Sequence, residues 1–180
     1  MTFLNRNQII KKENFFDLKI EQKWNFYIHY SDDKNWDLDS YNHIIQINNL
    51  TQSILFEEQL SSKILQNCMI FIMKDGISPI WEDPKNINGG CFSYKINNKC
   101  LYKVFKLVYY SLITNNLTNK KELANVINGI TISPKNTIMP KKNFSILKIW
   151  TETCEFIDPD LIHPIEGLNA KGCIFKKHVV

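Results

Sequence analysis

Between Trp24 and Tyr30 the large apolar side chains recur at every second position. Trp24, Phe26, Ile28 and Tyr30 share one side, and Asn25, Tyr27 and His29 the other. A period of two predicts a half-buried strand. The same alternation over 41–47 predicts a second strand, and Asn48-Asn49-Leu50-Thr51 a helix start with Thr51 as one possible N-cap. Ile54, Leu55, Ile64 and Leu65 carry helical spacing on to about residue 65. Residues 69–74 and 91–96 read as strands. Leu101, Phe105, Val108 and Leu112 mark the clearest amphipathic helix, over 100–113. Strands are expected at 126–133 and 144–151, with a loop containing proline and lysine between them. Pro159 and Pro164 exclude a long helix in the next stretch, and a last strand is expected at 172–178. Residues 1–20 read as a partly disordered lead-in and 21–180 as a single domain.

Strands and single helices in this order, with no regular β-α-β alternation and no Gly-x-Gly-x-x-Gly loop, predict an α+β fold. The expected object is an antiparallel sheet with helices on one face and loops gathered on the other. A length of 180 residues suits one such domain with its own core, and neither an internal repeat nor a dividing linker is visible.

Composition narrows the function classes. Hydrophobic residues make up 44% of the chain, too many for a disordered protein, yet no apolar run reaches the roughly 20 residues of a membrane span. The first residues, with Asn and charges among their apolar positions, do not read as a secretory signal. Cysteines at 68, 91, 100, 154 and 173 have no metal-ligand spacing and are odd in number, and four scattered histidines add no zinc pattern. Reduced thiols in an intracellular protein are the reading. The net charge of +4 is modest, but Lys135, Lys141, Lys142 and Lys148 cluster, as do Lys171, Lys176 and Lys177. Such clusters suit phosphate contacts or a solvated face. No nucleophile has a recognisable base partner, and Glu57-Glu58 reads as a solvated helix face. No catalytic residue and no metal site is expected; the chain reads as a binding module and not an enzyme.

The most informative stretch is residues 74–90, Lys-Asp-Gly-Ile-Ser-Pro-Ile-Trp-Glu-Asp-Pro-Lys-Asn-Ile-Asn-Gly-Gly. Asp75-Gly76 turns the chain after a strand, Pro79 stiffens the approach, and Gly89-Gly90 permits a sharp return. Trp81, Glu82 and Asp83 stand together between them. On its own this triplet leaves two readings open, an indole plugging the sheet edge or an indole offered to a ligand.

Taken with Trp24 and Trp36 before it, Trp150 after it, the helix at 100–113 and Gly167-Leu168-Asn169-Ala170-Lys171 near the end, this loop resembles that of the translation initiation factor 4E family, as a divergent member of cellular or viral origin. The resemblance runs from about residue 20 to the C-terminus. It implies a single curved antiparallel sheet backed by helices on its convex face, with the loops that bind the 7-methylguanosine cap of mRNA on the concave face. It implies that Trp36 and Trp81 sandwich the methylated base and that Glu82 reads the guanine edge. Trp150 would lie beside the N7-methyl group, and Lys135 with Lys141 and Lys142 would meet the cap phosphates. The chemistry is coherent. N7-methylation makes guanine cationic, indole faces attract cations by about 0.5–2 kcal/mol per ring, and base stacking adds about 1–3 kcal/mol. A carboxylate accepts from guanine N1–H and its 2-amino group, a donor pair that adenine lacks. For Trp150, placement in the strand core beside Phe144 and Ile146 is the other reading. The loop of Trp36, polar and lacking the neighbours that secure Trp81, is expected to be mobile until the cap arrives.

The resemblance also implies partners: capped mRNA, and a 4G-like scaffold on a dorsal surface that includes Leu18, Lys19, Leu50 and Ile54, with the protein a monomer, no membrane contact and no cofactor beyond the cap ligand. Departures are visible. Cys91 replaces the family's phosphate-directed arginine, Leu18-Lys19-Ile20 replaces its His-Pro-Leu entry, and Ile54 or a near neighbour replaces its dorsal tryptophan. The chain ends soon after His178, without the family's last loop, which is expected to open the site to a bulkier second nucleotide. Two outcomes remain open: initiation through a scaffold, or repression by competing for caps without recruiting ribosomes.

Overall fold

The computed structural model describes residues 18–137 and 142–178, with the side chains of residues 136, 137 and 142 left aside. Among the described residues the strands are β1 (Lys19–Tyr30), β2 (Asn42–Asn49), β3 (Cys68–Lys74), β4 (Gly90–Asn97), β5 (Ile127–Thr137), β6 (Lys142–Thr151) and β7 (Ile174–Lys177). They form one sheet in the order β2-β1-β3-β5-β6-β4-β7, antiparallel at every pairing. Helices α1 (Leu50–Gln59), α2 (Ser62–Asn67), α3 (Leu101–Ile113) and α4 (Lys121–Val126) complete the α+β fold.

The alternation in β1 sorts its two faces. Trp24 and Phe26 enter the main core against α3, whose Leu101, Val104, Phe105, Val108, Tyr109 and Leu112 are all buried. Asn25, Tyr27 and His29 point to the opposite, open face. A smaller apolar cluster forms there from Phe71, Met73, Ile77 and Trp150, with Tyr27, Tyr41, Met69 and Trp81 packed against it. The sheet is therefore backed by helices on one side and lined with aromatic rings on the other.

Several boundaries differ from the sequence expectation. β1 starts at Lys19, so the lead-in ends earlier than residue 20; its residues 1–17 lie outside the described residues. The first helix begins at Leu50, one residue before Thr51, because the Asn49 side chain accepts from the backbone N–H of Gln52 at 2.8 Å and takes the N-cap role. The stretch to residue 65 is two helices, interrupted at Leu60 and restarted by Ser61, whose hydroxyl accepts from Ile64 N–H. Helix α4 was not expected at all. Glu57 is the sharpest correction. Far from a solvated face, its carboxylate is 1% exposed, accepting from Tyr102 Oη at 2.7 Å and Tyr110 Oη at 3.2 Å and pairing with Lys106 Nζ at 2.9 Å. With Ser53 Oγ donating to Tyr109 Oη at 2.9 Å, these bonds join α1 to α3 beside the Phe56–Tyr109 ring contact.

Candidate functional site

Two loops rise over the open face. The first, between β1 and β2, is bound by its own short polar side chains. Asn35 N–H donates to Asp33 Oδ1, Asp37 N–H to Asn35 Oδ1, and Ser40 Oγ donates to the Asp37 carbonyl. Trp36 stands in this loop, 53% exposed, with one indole face lying on the imidazole of His29: ring centroids 4.3 Å apart, planes within 6°. His29 Nε2 donates to the Asn35 carbonyl at 2.7 Å. The expected mobile loop is thus fastened in this structure from below, on its own backbone.

The second loop joins β3 to β4. Asp83 is buried and caps the turn, accepting from Ser78 N–H at 2.8 Å and Lys85 N–H at 2.9 Å. Asn86, fully buried, donates to the carbonyls of Ser78 and Ile80 and accepts from Asn128 Nδ2. Gly76 opens the loop at φ +80°, and at Gly89 a β-carbon would collide with the Thr151 carbonyl. This frame presents Trp81 partly exposed and Glu82 exposed. His178 then crosses beneath: Nδ1 donates to the Asn86 carbonyl at 2.7 Å. Its ring stacks on Trp81 at 5.6 Å and 11° and tilts against Trp150 at 4.8 Å.

Tyr41, next to the first loop, and Trp81 of the second both pack against the small open-face cluster. The Tyr41 ring packs on His29 at 5.0 Å and on Phe71 at 5.1 Å. Burial first, and then the charge of Glu82, push its phenol up to about 12. Trp150 is 2% exposed, buried in the smaller open-face cluster, and its indole N–H donates to Thr131 Oγ1 at 2.7 Å. It forms floor beneath His178 and is not an exposed ring.

Cations gather at the same end. Lys148 Nζ and Lys176 Nζ lie 5.5 and 5.8 Å from the Trp81 ring centroid, within cation–π reach. Burial, and the nearby charges of Lys135 and Lys176, hold Lys148 below the usual lysine range against an opposing contribution from Cys91. Cys91 itself is buried and register-paired with both Lys176 and Trp150. Among the described residues none of these three lysines is in an ion pair with a carboxylate. Lys141 and the side chain of Lys142 lie outside the described residues.

Of the sequence-predicted residues, Trp81, Glu82 and Trp150 come together around Tyr41 and His178, and Trp36 joins them through His29. On the other side of the molecule, Leu50 N–H donates to the Leu18 carbonyl at 2.9 Å, and Ile54 lies one helical turn beyond Leu50. Leu18 and Lys19 are exposed, and Leu50 and Ile54 half-buried. His29, His178 and Tyr41 were missed as site residues, and Lys148 and Lys176 were named only as members of basic clusters. For Lys148 a signal existed, since it stands two positions before Trp150 on a strand and so shares its face.

A sequence model described as eukaryotic initiation factor 4E matches residues 19–166. The chain belongs to that family. The factor 4E family is one of initiation factors and not of enzymes. Among individual relatives, a eukaryotic translation initiation factor 4E homolog of Acanthamoeba polyphaga mimivirus is 44% identical over 62 residues, covering 34% of this chain and 23% of that protein. Eukaryotic translation initiation factor 4E-1A of Danio rerio is 28% identical over 102 residues, covering 48% and 41%. The matched segments thus span less than half the length of these relatives. Solved factor 4E structures share the fold. Ascaris suum eIF4E-3 with m7G cap aligns at TM-score 0.66 and 14% identity, over 81% of this chain and 78% of that one. C. elegans eIF4E-3, in complex with the 4E-binding protein Mextli and a cap analog, aligns at 0.65 and 15%, over 76% and 75%.

Proposed function

We propose that this chain binds the 7-methylguanosine cap of mRNA on the open face of its sheet. The observation that carries the reading is that Trp81 and Tyr41 pack on one open-face cluster, while Tyr41 rests on the His29 ring that bears Trp36. In this reading the exposed face of Trp36 and Trp81 take the cationic base by stacking and cation–π attraction. Glu82 accepts from the guanine N1–H and 2-amino group. Trp150 supports the methyl end from beneath, through His178. Lys135, with Lys148 and Lys176, supplies the positive charge for the cap phosphates that Cys91 does not; Lys141 and Lys142 extend the same basic stretch.

The apolar patch of Leu18, Leu50 and Ile54, with Lys19 at its edge and Leu55 exposed beside it, supports docking of a 4G-like scaffold helix, and with it a role in initiation in the cytoplasm. Competition for caps without ribosome recruitment is the alternative outcome of the same site. Co-purification with a scaffold that carries a Tyr-x-x-x-x-Leu-hydrophobic helix separates the two. The 62-residue segment shared with the mimivirus homolog supports a divergent, virus-encoded member.

The decisive measurement is titration of intrinsic tryptophan fluorescence with 7-methyl-GTP and with GTP. Selective binding of the methylated nucleotide is expected; equal binding of both, or none, overturns the proposal.

A further inference from the structure

Trp36 and Trp81 are held in the same way by residues far apart in the chain. A histidine lies flat against each indole, His29 under Trp36 and His178 against Trp81. Each donates one ring N–H to a backbone carbonyl of the loop that carries that indole, Asn35 and Asn86 respectively, both at 2.7 Å. Each is more than nine-tenths buried, and the remaining ring nitrogen, Nδ1 of His29 and Nε2 of His178, has no hydrogen-bond partner.

We infer that His29 and His178 are the positioning residues of the two-tryptophan clamp. Each latches a loop by its carbonyl and covers one indole face, so that a ligand meets a single, pre-oriented face of each ring. The inference rests on the cap-binding reading for its ligand, but the orientation it describes exists without one. Preorganisation of this kind strengthens binding by removing the cost of ordering the rings at the moment of contact.

The arrangement also ties methyl selectivity to the charge of His178. A protonated imidazole there, with 5.6 Å between its centroid and that of Trp81, stands about 9 Å from a cationic base on the far face. Between unit charges at that distance the repulsion is worth about 2- to 20-fold in affinity, from effective dielectric constants of ~80 down to ~20. GTP, whose base is uncharged, escapes it. His178 faces Lys148 and Glu82, and Lys176 Nζ lies 5.8 Å from the Trp81 ring centroid; burial first, and Lys148 in addition, hold His178 below the ordinary histidine range, against the Asn86 carbonyl and Glu82. His29 faces the Tyr41 phenol and Trp36.

The test uses the full chain, with 7-methyl-GTP and GTP titrated at a series of pH values from 8 to 5. His29→Phe and His178→Phe keep a flat ring without the latch; His29→Gln and His178→Gln keep a donor without the ring. Expected are Phe variants, which lose the latch, and Gln variants, which lose the ring, each about 10-fold or more weaker than wild type at pH 7.5, and a 7-methyl-GTP to GTP ratio that falls more steeply with acid in wild type than in His178→Phe. Because the ligands are the same throughout, their own titration cancels in the difference between the two slopes. Phe or Gln variants that bind like wild type, or a His178→Phe variant with the wild-type slope, overturn the inference. The near-UV circular dichroism of the indoles without ligand gives a second readout. It is expected to weaken in the Phe variants and to collapse in the Gln variants. Should wild type bind neither nucleotide, the cap reading fails alone, and an unchanged indole spectrum in the Gln variants is then what overturns the positioning role.

Discussion

The indole N–H of Trp150 donates to the Thr131 hydroxyl at 2.7 Å, between adjacent strands and with both groups buried. This bond fixes the ring on which His178 rests. Thr131→Val preserves the shape and removes the acceptor, leaving a buried N–H without a partner at a cost of about 1–3 kcal/mol. Urea denaturation is expected to show that loss, together with weaker 7-methyl-GTP binding from a displaced floor.

Glu57 ties stability to pH. Burial pushes its carboxyl up, but the bonds from Lys106, Tyr102 and Tyr110 outweigh it, and the group lies below the usual carboxylate range. A carboxyl lowered on folding contributes stability that is present above its unfolded value, near 4.3, and is lost as pH falls through the folded value. Glu57→Gln is expected to cost about 1–3 kcal/mol at pH 7, and to flatten the fall in denaturation midpoint below pH 4 relative to wild type.

The β3–β4 loop depends on one amide. Asn86→Asp replaces a donor to two carbonyls with an acceptor that faces them, and thermal unfolding is expected to begin several degrees lower. Gly89→Ala forces a β-carbon onto the Thr151 carbonyl and should do likewise.

Glu82→Gln keeps the side chain's size while exchanging one acceptor for a donor. Affinity for 7-methyl-GTP is expected to fall about 10- to 100-fold, the worth of hydrogen bonds to a charged group. Competition with other methylated purine nucleotides reads the accompanying loss of base selectivity.

Lys135→Ala and Lys148→Ala are each expected to weaken cap-analogue binding. Each should also lower its salt dependence by about 0.7 in log–log slope for every phosphate charge no longer neutralised. Titrations at several salt concentrations measure it. A slope unchanged in both variants would remove these lysines from the phosphate site.

What was legible in the chain was what a repeating pattern reports. Trp24 and Phe26, or Leu101, Phe105, Val108 and Leu112, declare burial because each element repeats the same demand at its own period. Trp81 and Glu82 were legible because breakers frame them on both sides. Glu57 was not, since what buries its charge is a set of groups on α3 that lie some distance along the chain. Helix α4, six residues long, spans less than two turns and so offers no period to count. The histidines escaped for a related reason. An imidazole on a strand announces neither the indole it will meet nor the carbonyl it will bond, and His178 finds its carbonyl 92 residues back.

The order of strands carries a consequence for synthesis. β4 follows directly on the Trp81 loop, yet among the described residues it pairs only with β6 and β7, both of which come later. A nascent chain that has reached the end of α3 can zip β1 to β2 and β3, and must keep β4 waiting with both edges bare. The half of the molecule bearing Trp36 is then built early and the half bearing Trp81 late. Trp81 gains the His178 ring against it only once residue 178 has been made, so the seat of that indole is among the last parts of the open face to be finished.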